Sequence, residues 1–138
     1  MAGRIYEAKN CIKYGKSILS DIPLLELNLY NLKGEKFPGK LLIPIDTGFE
    51  GSIMLSNEDY EFFQIAELPE EYWRTYRTLA GTVIMRVSYA IVEVNNIKFQ
   101  TYVETPRFGV GTRLIGREVL NKLTIILDGK NKLVCLAD

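Results

Sequence analysis

Short apolar runs, each ended by turn residues, dominate this sequence and restrict it to a small set of folds. The clearest run, residues 24–30, alternates as Leu-Leu-Glu-Leu-Asn-Leu-Tyr, and a turn at 31–35 separates it from the apolar residues 40–45. A period of two is typical of a strand with one buried face, and turn signals about every 8–12 residues are typical of all-β proteins. The two runs therefore predict a β-hairpin within a mostly β chain.

The remaining sequence predicts more strands and two helices. Ser56 or Asn57 can cap a helix that opens with acidic residues and ends before Pro69. The predicted elements after the hairpin are, in chain order, a strand at 52–55, a helix at 57–68 continuing toward 73, three antiparallel strands within 73–102, a helix at 117–123 and strands at 124–127 and 133–136.

Length and charge limit the functional classes. The 138 residues predict one domain spanning 1–138, with 47% hydrophobic and 25% charged residues as in ordinary globular proteins. Seventeen basic and seventeen acidic residues cancel, which argues against binding nucleic acid or anionic lipid through charge. No apolar run reaches the roughly 18 residues of a membrane span, and no signal peptide is evident. We therefore expect a cytoplasmic protein that contacts neither nucleic acid nor membrane.

The chain contains no histidine, which removes the usual general base and the commonest metal ligand. Its two cysteines, Cys11 and Cys135, lie near opposite ends without the spacing of a zinc or redox motif. We expect no metal site and no cofactor. The cysteines are expected to be small buried hydrophobic residues, and a bridge between them stays open because domain termini often lie close together.

Asp46-Thr47-Gly48 is the candidate catalytic motif, because it directly follows the apolar residues 42–45. A carboxyl group in that place is expected to be buried against apolar surroundings, as functional acids often are. Thr47 offers a hydroxyl that can lock the loop, and Gly48 leaves room for a substrate or a second backbone to approach. The alternative is an ordinary Asx-turn, since Asp and Gly are common turn residues.

A second element, Leu114-Ile115-Gly116, lies about 70 residues downstream, before the second predicted helix. Together with Asp46-Thr47-Gly48 it resembles the retropepsin-like aspartic proteases, over residues 24–136, with 1–20 as an N-terminal extension that covers the sheet or reshapes the cleft. The resemblance implies a closed or partly open antiparallel β-barrel with one or two short helices. It also implies a β-hairpin flap at 78–83, whose small tip residues Ala80 and Gly81 would close over a peptide.

The resemblance implies a homodimeric aspartic endopeptidase acting on extended peptide segments. Each subunit would supply Asp46 to a dyad that activates a water, and Thr47 would hydrogen-bond across the dimer axis. Asp128 is a poor second aspartate for one chain, because Asp128-Gly129-Lys130 lacks the Thr and reads as a hairpin tip. The alternatives are a catalytically inactive dimeric peptide-binding or assembly module, and a β-barrel scaffold in which the tripeptide is accidental.

Phe49 departs from the family pattern, which has a small residue after the glycine. Its side chain would either fill part of a substrate pocket or pack inward. Tyr72, Trp73 and Tyr76 precede the flap, and core packing is the more common role for such aromatic residues than lining a channel.

Arg117 and Glu50 are expected to pair in support of the site. In retroviral members an Arg after the second glycine contacts an acid four residues beyond the catalytic Asp, and both positions match here. A partly buried pair would cost roughly 3–5 kcal/mol when one partner is removed, which would loosen the loop and the dimer. The alternative is a pair of surface charges that contributes less than about 1 kcal/mol.

Overall fold

Two β-sheets organise the chain, whose computed structural model describes residues 3–137. Short 3-10 helices follow the first α-helix at Glu61–Ala66 and Glu70–Tyr72. The strands and α-helices, in chain order, are β1 (Lys9–Lys13), β2 (Leu24–Tyr30), β3 (Leu41–Pro44), β4 (Ile53–Met54), α1 (Asn57–Tyr60), β5 (Arg74–Thr78), β6 (Gly81–Val94), β7 (Ile97–Pro106), β8 (Leu114–Ile115), α2 (Arg117–Leu120), β9 (Thr124–Asp128) and β10 (Leu133–Ala137).

The larger sheet has the order β3-β2-β6-β7-β4-β8, with β5 paired to β6, and the smaller has the order β1-β10-β9. The mostly β class is confirmed, and the sheet takes the open form of the expected closed or partly open barrel, although its pairing is not entirely antiparallel. The edge strands β3 and β8 meet only at a bridge between Ile45 and Ile115, so the larger sheet stays open. In addition, β4 runs parallel to β7, with Ile53 opposite Val103.

The core lies on one face of the larger sheet. On β2 the alternation predicted from the sequence is observed, with Leu25, Leu27 and Leu29 buried between more exposed neighbours. Tyr60 and Phe63, from the helical segment after β4, are fully buried against this face. Burial of such aromatic and aliphatic side chains is the main stabilising contribution to a fold of this kind.

The helical segment begins where the sequence predicts. The Ser56 hydroxyl accepts a hydrogen bond from the Asp59 backbone N–H at 3.1 Å, so Ser56 is the N-cap. After one α-helical turn the chain tightens into the 3-10 helix, where Phe62 and Phe63 both contact the Phe37 ring, at centroid distances of 5.3 and 5.9 Å. The predicted helix over 57–68 is therefore shorter and less regular than expected, because packing of adjacent aromatic rings overrides α-helical spacing.

Cys11 and Cys135 form a disulfide, which corrects the expectation that both are small buried hydrophobic residues. Strand β1 pairs antiparallel with β10, and the register shifts between Lys9 and Ile12, which places Cys11 beside Cys135. Cys135 is buried, whereas Cys11 is exposed. The bond closes a loop with a sequence separation of 124 residues, and in the chain-entropy account such a long loop corresponds to roughly 4–5 kcal/mol of stabilisation.

Candidate active site

Asp46 is the second residue beyond β3, and two backbone hydrogen bonds fix its position. Its own N–H donates to the Ile115 carbonyl at 2.9 Å, and the preceding Ile45 N–H donates to the Pro23 carbonyl at 3.0 Å. The start of the segment 46–52, here called the Asp46 loop, is therefore held between the β2–β3 hairpin and β8. Asp46 and Leu114-Ile115-Gly116, about 70 residues apart in the sequence, are therefore neighbours in the structure.

Within the Asp46 loop the side chain of Asp46 accepts a hydrogen bond from the Gly48 N–H at 2.9 Å. This is the Asx-turn that the sequence offered as the alternative interpretation of Asp46-Thr47-Gly48. Asp46 is half-buried in the single chain, not buried as expected, because Thr47 and Gly48 beside it are exposed. A Cβ added at Gly48 would lie 3.2 Å from Asp46 Oδ1, so the glycine keeps one side of the carboxylate accessible.

Gly116 packs directly behind the Asp46 loop. Its N–H donates to the Ser52 carbonyl at 2.6 Å, and the Arg117 N–H donates to the Phe49 carbonyl at 2.8 Å. A Cβ at Gly116 would overlap the Gly51 carbonyl group, lying 2.8 Å from its carbon. The close approach of two backbones therefore requires glycine here, and Leu114 and Ile115 place it there through β8.

The flap hairpin, residues 74–85 of β5 and β6, stands opposite the Asp46 loop. Thr78 pairs with Gly81 across the turn Leu79-Ala80, and the Thr78 hydroxyl accepts from the Ala80 N–H at 3.2 Å while donating to the Gly81 carbonyl at 2.8 Å. Gly81 has a φ of 118°, a conformation that favours glycine. Ala80 and Gly81 are thus at the exposed tip, where the sequence predicts them.

A cleft of about 460 Å³ separates the Asp46 loop from the flap hairpin. Its polar walls carry two carboxylates and two guanidinium groups, and most of the remaining wall is apolar, a common composition for a ligand site. The lining residues are Asp46, Gly48, Phe49, Glu50, Met54, Tyr76, Arg77, Thr78, Val83, Met85, Pro106, Val110, Leu114 and Arg117.

Phe49 both borders this cleft and packs inward, so the two alternatives are combined. Its ring meets the Tyr76 ring edge-on at 5.4 Å. It also covers Gly51 and Gly116, since a Cβ added at either glycine would lie within 2.7 Å of the Phe49 ring. Tyr76 in turn lines the cleft.

Glu104 is a buried acid near the cleft that the sequence did not reveal. It is fully buried on β7, and its carboxylate accepts from the Tyr76 hydroxyl at 2.6 Å and from the Ser52 N–H at 2.8 Å. Arg74 Nη1 lies 3.4 Å from Glu104 Oε2. Burial raises the pKa of the Glu104 carboxyl, while the two hydrogen bonds and the Arg74 charge oppose that change. In the sequence, Glu104 is marked only as an acidic residue within a strand-like run. Its hydrogen-bond partners come from distant segments of the chain.

Asp128 lies at the β9–β10 turn, as the sequence predicts. Its carboxylate accepts from the Asn131 N–H at 3.0 Å and from the Asn131 side-chain amide at 2.9 Å. These contacts explain Asp128 as a turn residue.

Within residues 3–137 no group of three or more Cys, Asp or Glu side chains is arranged to hold a metal ion. No helix in the same part of the chain is long and apolar enough to cross a membrane.

Arg117 and Glu50 are neighbours at the mouth of the cleft, with Arg117 Nη2 3.6 Å from Glu50 Oε2. The side chains are 49% and 64% exposed in the single chain, so water screens their attraction. The expected pairing is therefore observed, but in the single chain the pair is exposed and not partly buried. The surface-charge alternative applies, with a contribution below about 1 kcal/mol.

We expect Arg117→Ala and Glu50→Ala each to lower the free energy of unfolding of the chain by less than about 1 kcal/mol, because both charges remain solvated when the partner is removed. The double variant should show a coupling energy below about 0.5 kcal/mol. Urea denaturation of the four proteins measures these values. A loss of 3 kcal/mol or more in either single variant would contradict the assignment as a surface pair.

Comparison with solved structures identifies the fold. A retropepsin-like aspartic protease from Rickettsia conorii superimposes with a TM-score of 0.56 at 14% identity, covering 98% of this chain and 95% of that one. EIAV protease complexed with the inhibitor HBY-793 is also similar, with a TM-score of 0.49 and 16% identity over 78% of this chain and 93% of that one. No family model and no curated protein matches the chain. The chain therefore has the retropepsin-like fold, which confirms the resemblance seen in the sequence at the level of fold.

Proposed function

We propose that this chain is an aspartic endopeptidase that acts as a homodimer on extended polypeptide segments. The observation that carries the proposal is the position of Asp46, whose half-buried carboxylate lines the cleft between the Asp46 loop and the flap hairpin of a retropepsin-like fold. One chain supplies one such carboxylate. A second copy, related by a two-fold axis, would supply the other.

The dyad would consist of Asp46 and the partner subunit's Asp46, in an isologous contact where each residue faces its equivalent. Two carboxyl groups that close share one proton, as in other aspartic proteases. The ionised carboxylate would take a proton from a water, whose oxygen forms a bond to the peptide carbonyl carbon. The protonated carboxyl would give its proton to the carbonyl oxygen. In the collapse of the tetrahedral intermediate the C–N bond breaks, and the carboxyl that took the water proton gives it to the leaving nitrogen. A hydroxyl of the intermediate returns its proton to the other carboxylate as the new carbonyl forms, so the dyad again holds one proton.

The exposure of the Asp46 loop supports the dimer. Thr47 and Gly48 are exposed directly beside the half-buried Asp46, so this loop presents an accessible surface to a second copy. The Thr47 hydroxyl would then hydrogen-bond across the axis and keep the two loops in register.

The cleft supports a peptide substrate with apolar side chains near the bond that is cut. Val83, Met85, Pro106, Val110 and Leu114 line it and offer apolar contacts. A peptide in extended conformation would lie between the Asp46 loop and the flap hairpin, with its backbone available for strand-like hydrogen bonds. Phe49 would border the site and shape it, and Ala80 and Gly81 at the flap tip would let the hairpin close over the peptide backbone.

The cytoplasmic location expected from the sequence stays a prediction. The disulfide between Cys11 and Cys135 counts against it, because disulfides are rare in reducing compartments.

A diverse peptide library, incubated at several acidic to neutral pH values with and without a statine-type transition-state mimic, tests the proposal. Cleavage that the mimic suppresses and that requires Asp46 supports an aspartic endopeptidase. Capture of extended peptides without cleavage would support the alternative, a catalytically inactive peptide-binding module. If the protein neither cleaves nor captures any peptide, the scaffold alternative applies, in which Asp46-Thr47-Gly48 is accidental.

The proposed dimer predicts that excess Asp46→Asn protein poisons the wild-type enzyme. With a ninefold excess and free exchange of subunits, about one wild-type chain in ten has a wild-type partner, so activity per wild-type chain should fall about tenfold. Peptide cleavage after equilibration measures this, with sedimentation to establish the dimer.

Asp128→Asn in the same excess is the matched control. Because Asp128 lies at the β9–β10 turn, this variant should itself be active and should raise the total activity of the mixture. Undiminished activity with the Asp46→Asn protein, together with a monomer in sedimentation, would contradict the dimer.

A further inference from the structure

Glu104 joins two of the segments that form the cleft. Its Oε2 accepts the N–H of Ser52, the last residue of the Asp46 loop, at 2.8 Å, and its Oε1 accepts the hydroxyl of Tyr76 from the flap hairpin at 2.6 Å. One fully buried carboxylate is thus shared between the loop that carries Asp46 and the hairpin that faces it. A carboxylate is suited to this, because each of its two oxygens can accept from a different segment.

Arg74 extends the network to a third segment. Its guanidinium lies 3.4 Å from Glu104 Oε2 and binds the Glu118 carboxylate of α2 through both terminal nitrogens, the Nη2–Oε2 distance being 3.1 Å. The same group stacks over the Tyr102 ring, 4.8 Å from its centroid. Because α2 begins directly after Gly116, Arg74 links the flap hairpin to the element that supports the Asp46 loop from behind.

The network reaches the cleft through Tyr76. Its hydroxyl is bound to Glu104, while its ring packs on Phe49 and lines the cleft. Phe49 in turn covers Gly51, where an added Cβ would lie 2.5 Å from the Tyr76 oxygen and 2.6 Å from the Phe49 ring. The Tyr76 hydroxyl and the Phe49 ring therefore both pack closely on Gly51 of the Asp46 loop.

Burial of Glu104 is unfavourable in itself, since it raises the pKa of the carboxyl and disfavours its charged form. Burial also raises the pKa of the Tyr76 hydroxyl. For Arg74 burial acts to lower the pKa, but the hydrogen bonds to Glu118 and Tyr76 raise it overall, so the guanidinium stays charged beside Glu104. An apolar residue would fill this space without the desolvation cost, so hydrophobic packing alone does not explain a glutamate here.

We propose that Glu104 is a positioning residue of the peptidase: through Tyr76 and Ser52 it holds the flap hairpin and the Asp46 loop in one relative arrangement. The inference rests on the proposed function as far as catalysis is concerned. A shift of about 1 Å between the groups that hold a substrate and those that react can cost roughly 100-fold in rate. Loss of the Glu104 contacts should therefore lower kcat more than it changes KM.

The chain contains a matched control for these contacts. In a second Tyr–Glu–Arg cluster, the Tyr60 hydroxyl donates to Glu67 at 2.7 Å and Arg86 Nε donates to the same oxygen at 2.8 Å. Tyr60 is fully buried, and none of these three residues lines the cleft. Removing the Tyr60 hydroxyl therefore disturbs a comparable buried cluster without touching the proposed site.

The kinetic experiment compares Tyr76→Phe with Tyr60→Phe. Tyr76→Phe keeps the ring on Phe49 and removes the hydroxyl that donates to Glu104 and accepts from Arg74 Nη1 at 3.4 Å. We therefore expect kcat to fall about tenfold or more, with KM within about threefold of wild type. Tyr60→Phe should leave kcat within about twofold, whatever stability it loses. Glu104→Gln should also lower kcat. Equal kcat values for wild type and Tyr76→Phe would overturn the proposal. If Glu104→Gln does not fold, the kcat of Tyr76→Phe alone tests the positioning role.

Hydrogen exchange of the backbone amides provides a readout that does not require peptidase activity. In Tyr76→Phe, exchange should be at least about tenfold faster in residues 74–78 and at Ser52 than in wild type, and Tyr60→Phe should not show this change. Unchanged exchange in Tyr76→Phe would overturn the positioning role even for an active enzyme. If wild type cleaves no peptide, the proposed function fails, and exchange alone decides whether Glu104 couples the hairpin to the loop.

Discussion

Replacing Asp46 by Asn is expected to reduce peptide cleavage by roughly a thousandfold or more while leaving the chain folded and dimeric. Asn has the shape of Asp, and its side-chain oxygen can still accept the Gly48 N–H, which lies 2.9 Å from Asp46 Oδ1. An amide cannot take a proton from water, so the dyad loses its base and its shared proton. The kcat/KM on a peptide cleaved by wild type measures the effect.

Two measurements separate loss of chemistry from loss of structure. Urea denaturation and sedimentation of Asp46→Asn should resemble wild type, because the substitution keeps volume and hydrogen bonding at a half-buried position. Asp128→Asn at the β9–β10 turn serves as the control for the same chemical change elsewhere. Residual cleavage by Asp46→Asn within tenfold of wild type would exclude the proposed mechanism.

Gly116→Ala is expected to lower the free energy of unfolding by about 3 kcal/mol, because the added methyl group meets backbone that cannot move aside. That methyl group would lie 2.8 Å from the Gly51 carbonyl carbon and 2.7 Å from the Phe49 ring. Relief of the overlap would lengthen the hydrogen bond from the Gly116 N–H to the Ser52 carbonyl, now 2.6 Å. Urea denaturation monitored by circular dichroism measures the change.

Gly129→Ala is the matched control, since an added Cβ at Gly129 meets no atom within 4 Å. It should change the free energy of unfolding by less than about 1 kcal/mol. A variant Gly116→Ala as stable as Gly129→Ala would show that the Asp46 loop moves freely away from β8. If Gly116→Ala folds, displacement of the loop should also lower cleavage, because the Asp46 N–H is bound to Ile115.

The sequence by itself determined the features that depend on local pattern. The alternation in β2 placed Leu25, Leu27 and Leu29 inside, since successive side chains of a strand point to opposite faces. The turn residues at 79–81 and 128–131 marked hairpins that the structure contains. Asp46-Thr47-Gly48 and Leu114-Ile115-Gly116 indicated the retropepsin-like fold without any contact information, and the proposed roles of these residues in catalysis stay predictions.

The tertiary structure decided the features that depend on which distant segments meet. The bond between Cys11 and Cys135 follows from the pairing of β1 with β10, and the exposure of Arg117 and Glu50 follows from their place at the cleft mouth. Glu104 meets Ser52 and Tyr76 because β4 and the flap hairpin both pack against the end of β7. Whether a charged side chain is buried, and which groups it contacts, depends on how separate segments pack together. No local pattern in one segment specifies which residues of another segment it contacts.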